Sequence, residues 1–381
     1  MRSDKHRRRS INRTMAVTAL LTLGVSCSNG EQGTPVSSPP VDTISLSVID
    51  SITGGTDTTE CMFGAIERTM LLEDGGVLAL DIARCCVFRF APDGTYIGTI
   101  GSAGPGPGEL GYPSDMTVME DGTIAVSDPM KAAVLLYSLD SGYVGLIEGF
   151  PMTPMRNMQP APGGGFIGWR SSVEMGEGEY LTHLTVGRWT TDGNPVTVYW
   201  DRSEPSDLSS FTSMLKQSLY AVAITADRDG RVFVAPLSTE EYTVQCYQPD
   251  GELFATIRLS LPRQLRSEEE LQVESSQMET RMRSMGDHGM PMVWEPDPYR
   301  IMVGEMGTDA DGRLWVRRGT ADQPTFDVFD VPSGERLCSA VLDYHGDASG
   351  WIFSIQPGGM LAWSADADSC QSIYRLAPDS R

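Results

Sequence analysis

Histidine is scarce in this chain. Of the four, His6 lies in a basic N-terminal segment, which leaves only His183, His288 and His345. Zinc sites built from several imidazoles are therefore poorly supplied. No Cys-x-x-Cys pair occurs, which removes metal knuckles and thioredoxin-like exchange. Beyond residue 40, asparagine is limited to Asn157 and Asn194, so a calcium site would lean on carboxylates such as Asp81 and Asp128. A Gly-x-Ser-x-Gly nucleophile elbow is missing. Gly104 to Gly108 alternates with proline and reads as a connecting turn, not as a phosphate cradle opening a helix. Positive charge is also short. The net charge is −22, and Arg2, Lys5, Arg7, Arg8, Arg9 and Arg13 sit together at the N-terminus against Asp4 alone; removing those seven residues' charges takes it to −27. Such a surface repels phosphate backbones, so no nucleic-acid partner is expected.

What is present begins with targeting. The apolar run Met15 to Val25 is too short for a permanent bilayer span and follows a basic stretch, as in a signal peptide. Leu23-Gly24-Val25-Ser26-Cys27 resembles the lipobox of bacterial lipoproteins, which implies acylation of Cys27; an ordinary secretory signal with an incidental cysteine is the alternative. Residues 28–42 have the Gly, Ser and Pro content of a flexible tether. Residue 28 is serine, where an aspartate would resemble an inner-membrane retention signal, so the expected location is the cell envelope with the anchor in the outer membrane.

The remaining residues, 43–381, carry a repeat. Asp-Gly or a close equivalent, flanked by alternating apolar residues, marks tight hairpins. One series is Asp74-Gly75, Asp121-Gly122, Gly163-Gly164, Asp229-Gly230, Asp311-Gly312 and Gly358-Gly359, each followed by a strand such as Val77 to Leu80. A second, interleaved series is Asp93-Gly94, Ser141-Gly142, Asp192-Gly193, Asp250-Gly251 and Ser333-Gly334. If each repeat is a four-stranded meander a-b-c-d, the first series marks a-b turns and the second c-d turns. The second is one short because the chain stops after a last strand c, Gln371 to Leu376. An extra strand-like segment, Thr43 to Ile49, precedes the first repeat and predicts closure by pairing with the last three strands. The expectation is an all-β, six-bladed β-propeller closed by its N-terminal strand.

The segment Leu78 to Gly101, running on to Gly104-Pro-Gly-Pro-Gly-Glu-Leu110, resembles an NHL repeat and its inter-blade loop. The likeness is good over 66–150, recurs near 221–259 and 305–342, and is similar to exported six-bladed NHL-like propellers of bacteria. Where that family often has Asn and His after its valine-alanine-aspartate element, this chain has Arg84-Cys85 and Met130-Lys131.

The a-b turns are regularly spaced except between 229 and 311, which predicts a helical insertion at about 262–300 between blades 4 and 5. Ser267 to Glu270 is a capping-box pattern, and Leu271, Met278, Met282 and Met285 fall on one helical stripe, predicting a helix over 268–285. The insertion belongs to the face that carries the d-a and b-c loops. That face is expected to gather Asp81, Arg84, Asp128, Lys131, Arg170, Arg317, Arg318 and Asp366 around the channel mouth as ligand contacts. It would also bring Cys61 near Cys85 and Cys86, suggesting a disulfide from Cys61 to one of them; buried free thiols are the alternative. No catalytic residue, resident metal or cofactor is expected, calcium being the one ion the channel could take. The functional expectation is a monomeric, membrane-tethered binding or scaffold module for a protein, peptide or glycan. The alternative is a lactonase-like metal-dependent hydrolase or lyase at the central channel.

Overall fold

The hairpin spacing is realised turn by turn in the computed structural model, which describes residues 41–53, 62–150, 155–175, 180–190, 195–206, 222–284, 294–364 and 370–379. The first strand is β1 (Asp42–Thr53). Blade 1 follows as β2 (Ile66–Leu71), β3 (Val77–Asp81), β4 (Cys86–Phe90) and β5 (Tyr96–Ile100). Blade 2 is β6 (Asp115–Val118), β7 (Ile124–Asp128), β8 (Ala133–Ser138) and β9 (Gly142–Glu148), and blade 3 is β10 (Arg156–Pro160), β11 (Phe166–Met175), β12 (Tyr180–Trp189) and β13 (Pro195–Pro205). Blade 4 is β14 (Val222–Ala226), β15 (Val232–Pro236), β16 (Tyr242–Tyr247) and β17 (Leu253–Leu259). After the insertion helix α1 (Glu268–Ser284), blade 5 is β18 (Val303–Thr308), β19 (Leu314–Arg318), β20 (Thr325–Phe329) and β21 (Arg336–Asp343). Blade 6 starts with β22 (Trp351–Gln356), β23 (Gly359–Ser364) and β24 (Ser372–Pro378).

Every turn of the first series joins strands a and b, and those of the second join c and d, save that Asp192-Gly193 lies outside the described residues. The turns need glycine for a physical reason. Gly75 has φ +86° and Gly94 has φ +81°, a region that side chains with a Cβ disfavour, and each closes its hairpin by donating to the carbonyl three residues earlier.

Closure is made by β1, which supplies strand d of blade 6 and also does more than the sequence suggested. Its second half, Leu46 to Thr53, pairs antiparallel with β24, while its first half, Asp42 to Ser47, pairs parallel with β21 of blade 5. Blades 5 and 6 thereby become one eight-stranded sheet. The innermost strands β2, β6, β10, β14, β18 and β22 touch in that order and back to β2.

Six apolar clusters fill the six interfaces between successive blades. Between blades 6 and 1, Ile52, Phe63, Phe88, Phe90, Trp363 and Ile373 pack together; between blades 5 and 6, Leu46 joins Phe326, Leu342, Trp351 and Phe353. Trp363 is buried and its indole N–H donates to the Ile66 carbonyl at 2.9 Å, so one side chain packs and hydrogen-bonds across the closing interface. Burying such a side chain contributes about 2–3 kcal/mol. A blade has apolar residues on both faces, and only stacking on two neighbours covers both.

Helix α1 starts where its capping box predicts. The Ser267 N–H donates to Glu270 Oε2 at 2.6 Å and the Glu270 N–H to Ser267 Oγ at 3.1 Å. Of the predicted stripe, Met278 is buried and Leu271 half-buried; the Met282 side chain and Met285 lie outside the described residues. No helix among the described residues is long and apolar enough to cross a membrane.

Candidate binding face

The d-a and b-c loops share one face, and the site residues expected there separate into two groups. Asp81 and Asp128, the last residues of β3 and β7, are fully buried and already bonded to several backbone N–H groups. Asp81 accepts from the N–H groups of Gly64 (2.6 Å), Ala65 (3.1 Å) and Arg84 (2.9 Å). Asp128 accepts from Gly111 (2.6 Å), Tyr112 (3.1 Å), Met130 (3.0 Å) and Lys131 (3.3 Å). Each carboxylate ties its own b-c corner to the loop entering its blade. They are therefore structural pins and not the ligand contacts the sequence suggested.

Arg84 is exposed on the corner that Asp81 holds, and Lys131 reaches the Gly106 carbonyl at 3.3 Å. Arg170 is half-buried at the matching position of blade 3, opposite Thr185. Arg318, at that position in blade 5, turns into the interior and meets buried Asp327 at 2.5 Å. Asp366, Cys61 and Cys27 lie outside the described residues.

The expected Cys61 disulfide to this corner is not formed, because Cys85 and Cys86 are both free. The Cys86 side chain enters the apolar cluster with Phe88 and Trp363, and burial, with Asp81 nearby, pushes its thiol up to about 11. Cys85 occupies a left-handed turn position, φ +50°, with its thiol on the Ile82 carbonyl. Among the described cysteines, Cys370 is the one in a disulfide.

Arg317 stands at the edge of a cavity of about 660 Å³ on this face, apart from the channel mouth where it was expected. The cavity lies between the insertion, the b-c corners of blades 4 and 5 and Ser349, with Trp294, Tyr299, Pro298, Ala321 and Pro324 in its walls. Its shape is fixed by ion pairs. The two ends of the insertion pair with each other, Arg266 N–H to Pro298 O and Arg300 N–H to Gln264 O, both at 2.9 Å. Arg300 holds Glu270 at 3.0 Å and Asp322 of the blade 5 corner at 2.7 Å. Arg266 holds Glu274 at 2.5 Å, and Glu274 accepts the Trp294 indole N–H at 2.8 Å. Burial alone would raise the Glu270 carboxyl, but the Ser267 N–H and the Arg300 guanidinium outweigh it and hold it below the usual range. Hydrogen bonding to Arg300 likewise lowers Asp322.

A second cavity, of about 190 Å³, is the central channel, lined from the innermost strands by Glu67, Arg68, Asp115, Arg156, Asn157, Glu305 and Gln356, among others. Burial raises the Asp115 carboxyl although Arg68 opposes the shift. These residues stand at the starts of strands a, whereas those expected at the channel mouth stand at the ends of strands b. The available signal was charge inside a strand otherwise reading apolar, as in Ile66-Glu67-Arg68. Glu305 lines the channel, Arg317 lines the larger cleft, and the two form an ion pair.

No described group of three or more His, Cys, Asp or Glu side chains has the arrangement of a metal site. The sequence over residues 55–222 matches the model of the DUF5128 family, described as a 6-bladed beta-propeller. The chain is a six-bladed β-propeller. Among solved structures, a Bacteroides fragilis protein described as exported shares this propeller fold at 13% identity, with 89% of this chain and 99% of that chain covered and a TM-score of 0.51. Virginiamycin B lyase from Staphylococcus aureus aligns at 11% identity over 88% and 99% of the two chains, TM-score 0.45. A gluconolactonase from Xanthomonas campestris aligns at 13% over 89% and 99%, TM-score 0.42. No curated protein matches the sequence.

Proposed function

We propose that this propeller is an exported, membrane-tethered recognition module that binds a protein segment, peptide or glycan in the cleft between its insertion and blades 4 and 5. The observation that carries this is the cleft itself: about 660 Å³, walled by Trp294, Tyr299 and prolines, and held in shape by Arg266, Arg300 and their carboxylates. Pre-organised walls reduce the ordering cost of binding, and aromatic and proline surfaces suit extended chains or sugar rings. Tethering is supported by the lipobox-like Leu23 to Cys27 and the Gly, Ser and Pro content of residues 28–42, placed before a fold whose first strand begins at Asp42. The Bacteroides fragilis protein's description as exported agrees with this placement. The lactonase-like alternative loses support, since Asp81 and Asp128, the carboxylates it leaned on, are occupied by backbone N–H groups.

The test is to screen the full chain on peptide and glycan arrays beside Ala321→Trp, which fills the cleft from its blade 5 wall. The reading expects a ligand class that binds the wild-type chain and is lost in the variant at unchanged melting temperature. Binding that survives the filled cleft, or none on either array, would overturn it.

A further inference from the structure

The central channel carries a set of charges apart from the cleft. Glu67 and Arg68 on β2, Asp115 on β6, Arg156 on β10 and Glu305 on β18 all lie in the first half of their strands, on the side where the d-a loops enter. Charge in such a place is costly unless it is paired. Most of it is paired. Asp115 accepts from the N–H groups of Met116 at 2.7 Å and Met158 at 2.8 Å. Arg68 donates to the Met158 carbonyl at 3.1 Å and stands 3.7 Å from Asp115. Glu305 is held by Arg317.

Arg156 is different. Among the described residues its guanidinium makes no hydrogen bond or ion pair, and its charge is felt by Asp115 at longer range. The Nε of Arg68 is buried and also lacks an acceptor. A half-buried guanidinium facing a small polar cavity offers five donors in a fork that matches a carboxylate. The same cavity is also lined by Glu67 and Glu305, neither of them without a partner. A ligand with negative charge alone would be brought against these, and one with positive charge alone against Arg68 and Arg156. Only a molecule carrying both signs a few ångströms apart answers the whole set. The volume, about 190 Å³, is that of about six waters. It admits a small ligand and excludes a peptide or sugar chain.

We propose that the channel mouth binds a free α-amino acid as its zwitterion, the α-carboxylate on Arg156 and the ammonium toward Glu305. The site is separate from the cleft and stands or falls independently of it. Because Glu305 is paired with Arg317 of the cleft wall, an occupied channel lies one ion pair away from the larger site.

Isothermal titration of the full chain tests this with glycine, alanine and glutamate as probes, and with propionate and ethylamine as single-sign analogues of alanine. The expected result is one-to-one binding of at least one amino acid, with propionate and ethylamine weaker than alanine by about tenfold or more. Arg156→Gln has no hydrogen bond to lose, so it should keep its melting temperature and lose about tenfold or more in affinity, with Arg156→Lys falling between. Ala321→Trp should leave this binding unchanged. No binding by any amino acid, propionate binding as tightly as alanine, or an Arg156→Gln affinity equal to wild type would each overturn the proposal.

Discussion

Asp81 and Asp128 show how one side chain can be legible in position and misleading in role. Both stand at the end of strand b, where the fold turns toward the loop-bearing face, and an acidic residue at a channel mouth suggests a ligand contact. The structure surrounds each with backbone N–H donors instead. Asp81→Ala should therefore cost about 1–3 kcal/mol of stability, by leaving partly buried N–H donors without their acceptor, and leave cleft binding intact in the protein that remains folded. Denaturant unfolding beside an array assay checks both halves. Cys86 and Cys246 give a second residue-scale expectation. Burial raises their thiols to about 11 and about 12, so a thiol reagent at pH 8 should spare both in the native protein and modify them once it is unfolded. What the sequence does not disclose at this scale is partnership. Nothing in Arg156 or Arg317 as letters tells that, among the described residues, one lacks a partner and the other has Glu305.

At the scale of elements, periodicity and turn chemistry were sufficient for strands because each hairpin carries its own local signal. Helix α1 was equally legible, since Ser267 and Glu270 form the reciprocal bonds their spacing implies. Its docking was not legible, because it depends on Asp322, a residue distant in sequence. Glu270 lies below its usual range, so the stability it contributes is present above the ordinary carboxylate range and is lost as pH falls through the lowered value. Glu270→Gln should then melt lower than wild type at pH 7, by about 1 kcal/mol or less for a partly exposed pair, and the difference should close toward pH 3. Strand β1 is the other element whose role exceeded its sequence signal. Alternation predicted one pairing, with the last blade; the parallel pairing with β21 has no local signature, because parallel partners are set by the closed ring. Leu46 sits in the interface that this stitch creates. Leu46→Ala should cost about 2–5 kcal/mol as a buried large-to-small change, and a chain beginning at Thr53 should fail to fold where one beginning at Asp42 folds, as circular dichroism would show.

For the whole molecule, the count of six was readable because the repeat is written in turns, and the six inter-blade cores follow from it. The cavities were not, because each is assembled by several blades at once and no single segment carries its outline. The acidic balance acts at this scale too. A net charge of −22 repels itself, so the unfolding midpoint at pH 7 should rise as NaCl is raised toward physiological ionic strength. The proposed role of this face is recognition without a catalytic metal. The direct measurement is elemental analysis of the chain purified without chelator, together with its melting temperature in calcium and in EDTA. Recognition predicts no stoichiometric ion and one melting temperature in both. One ion per chain, with stability that EDTA removes, would contradict it and return the channel to hydrolase or lyase chemistry.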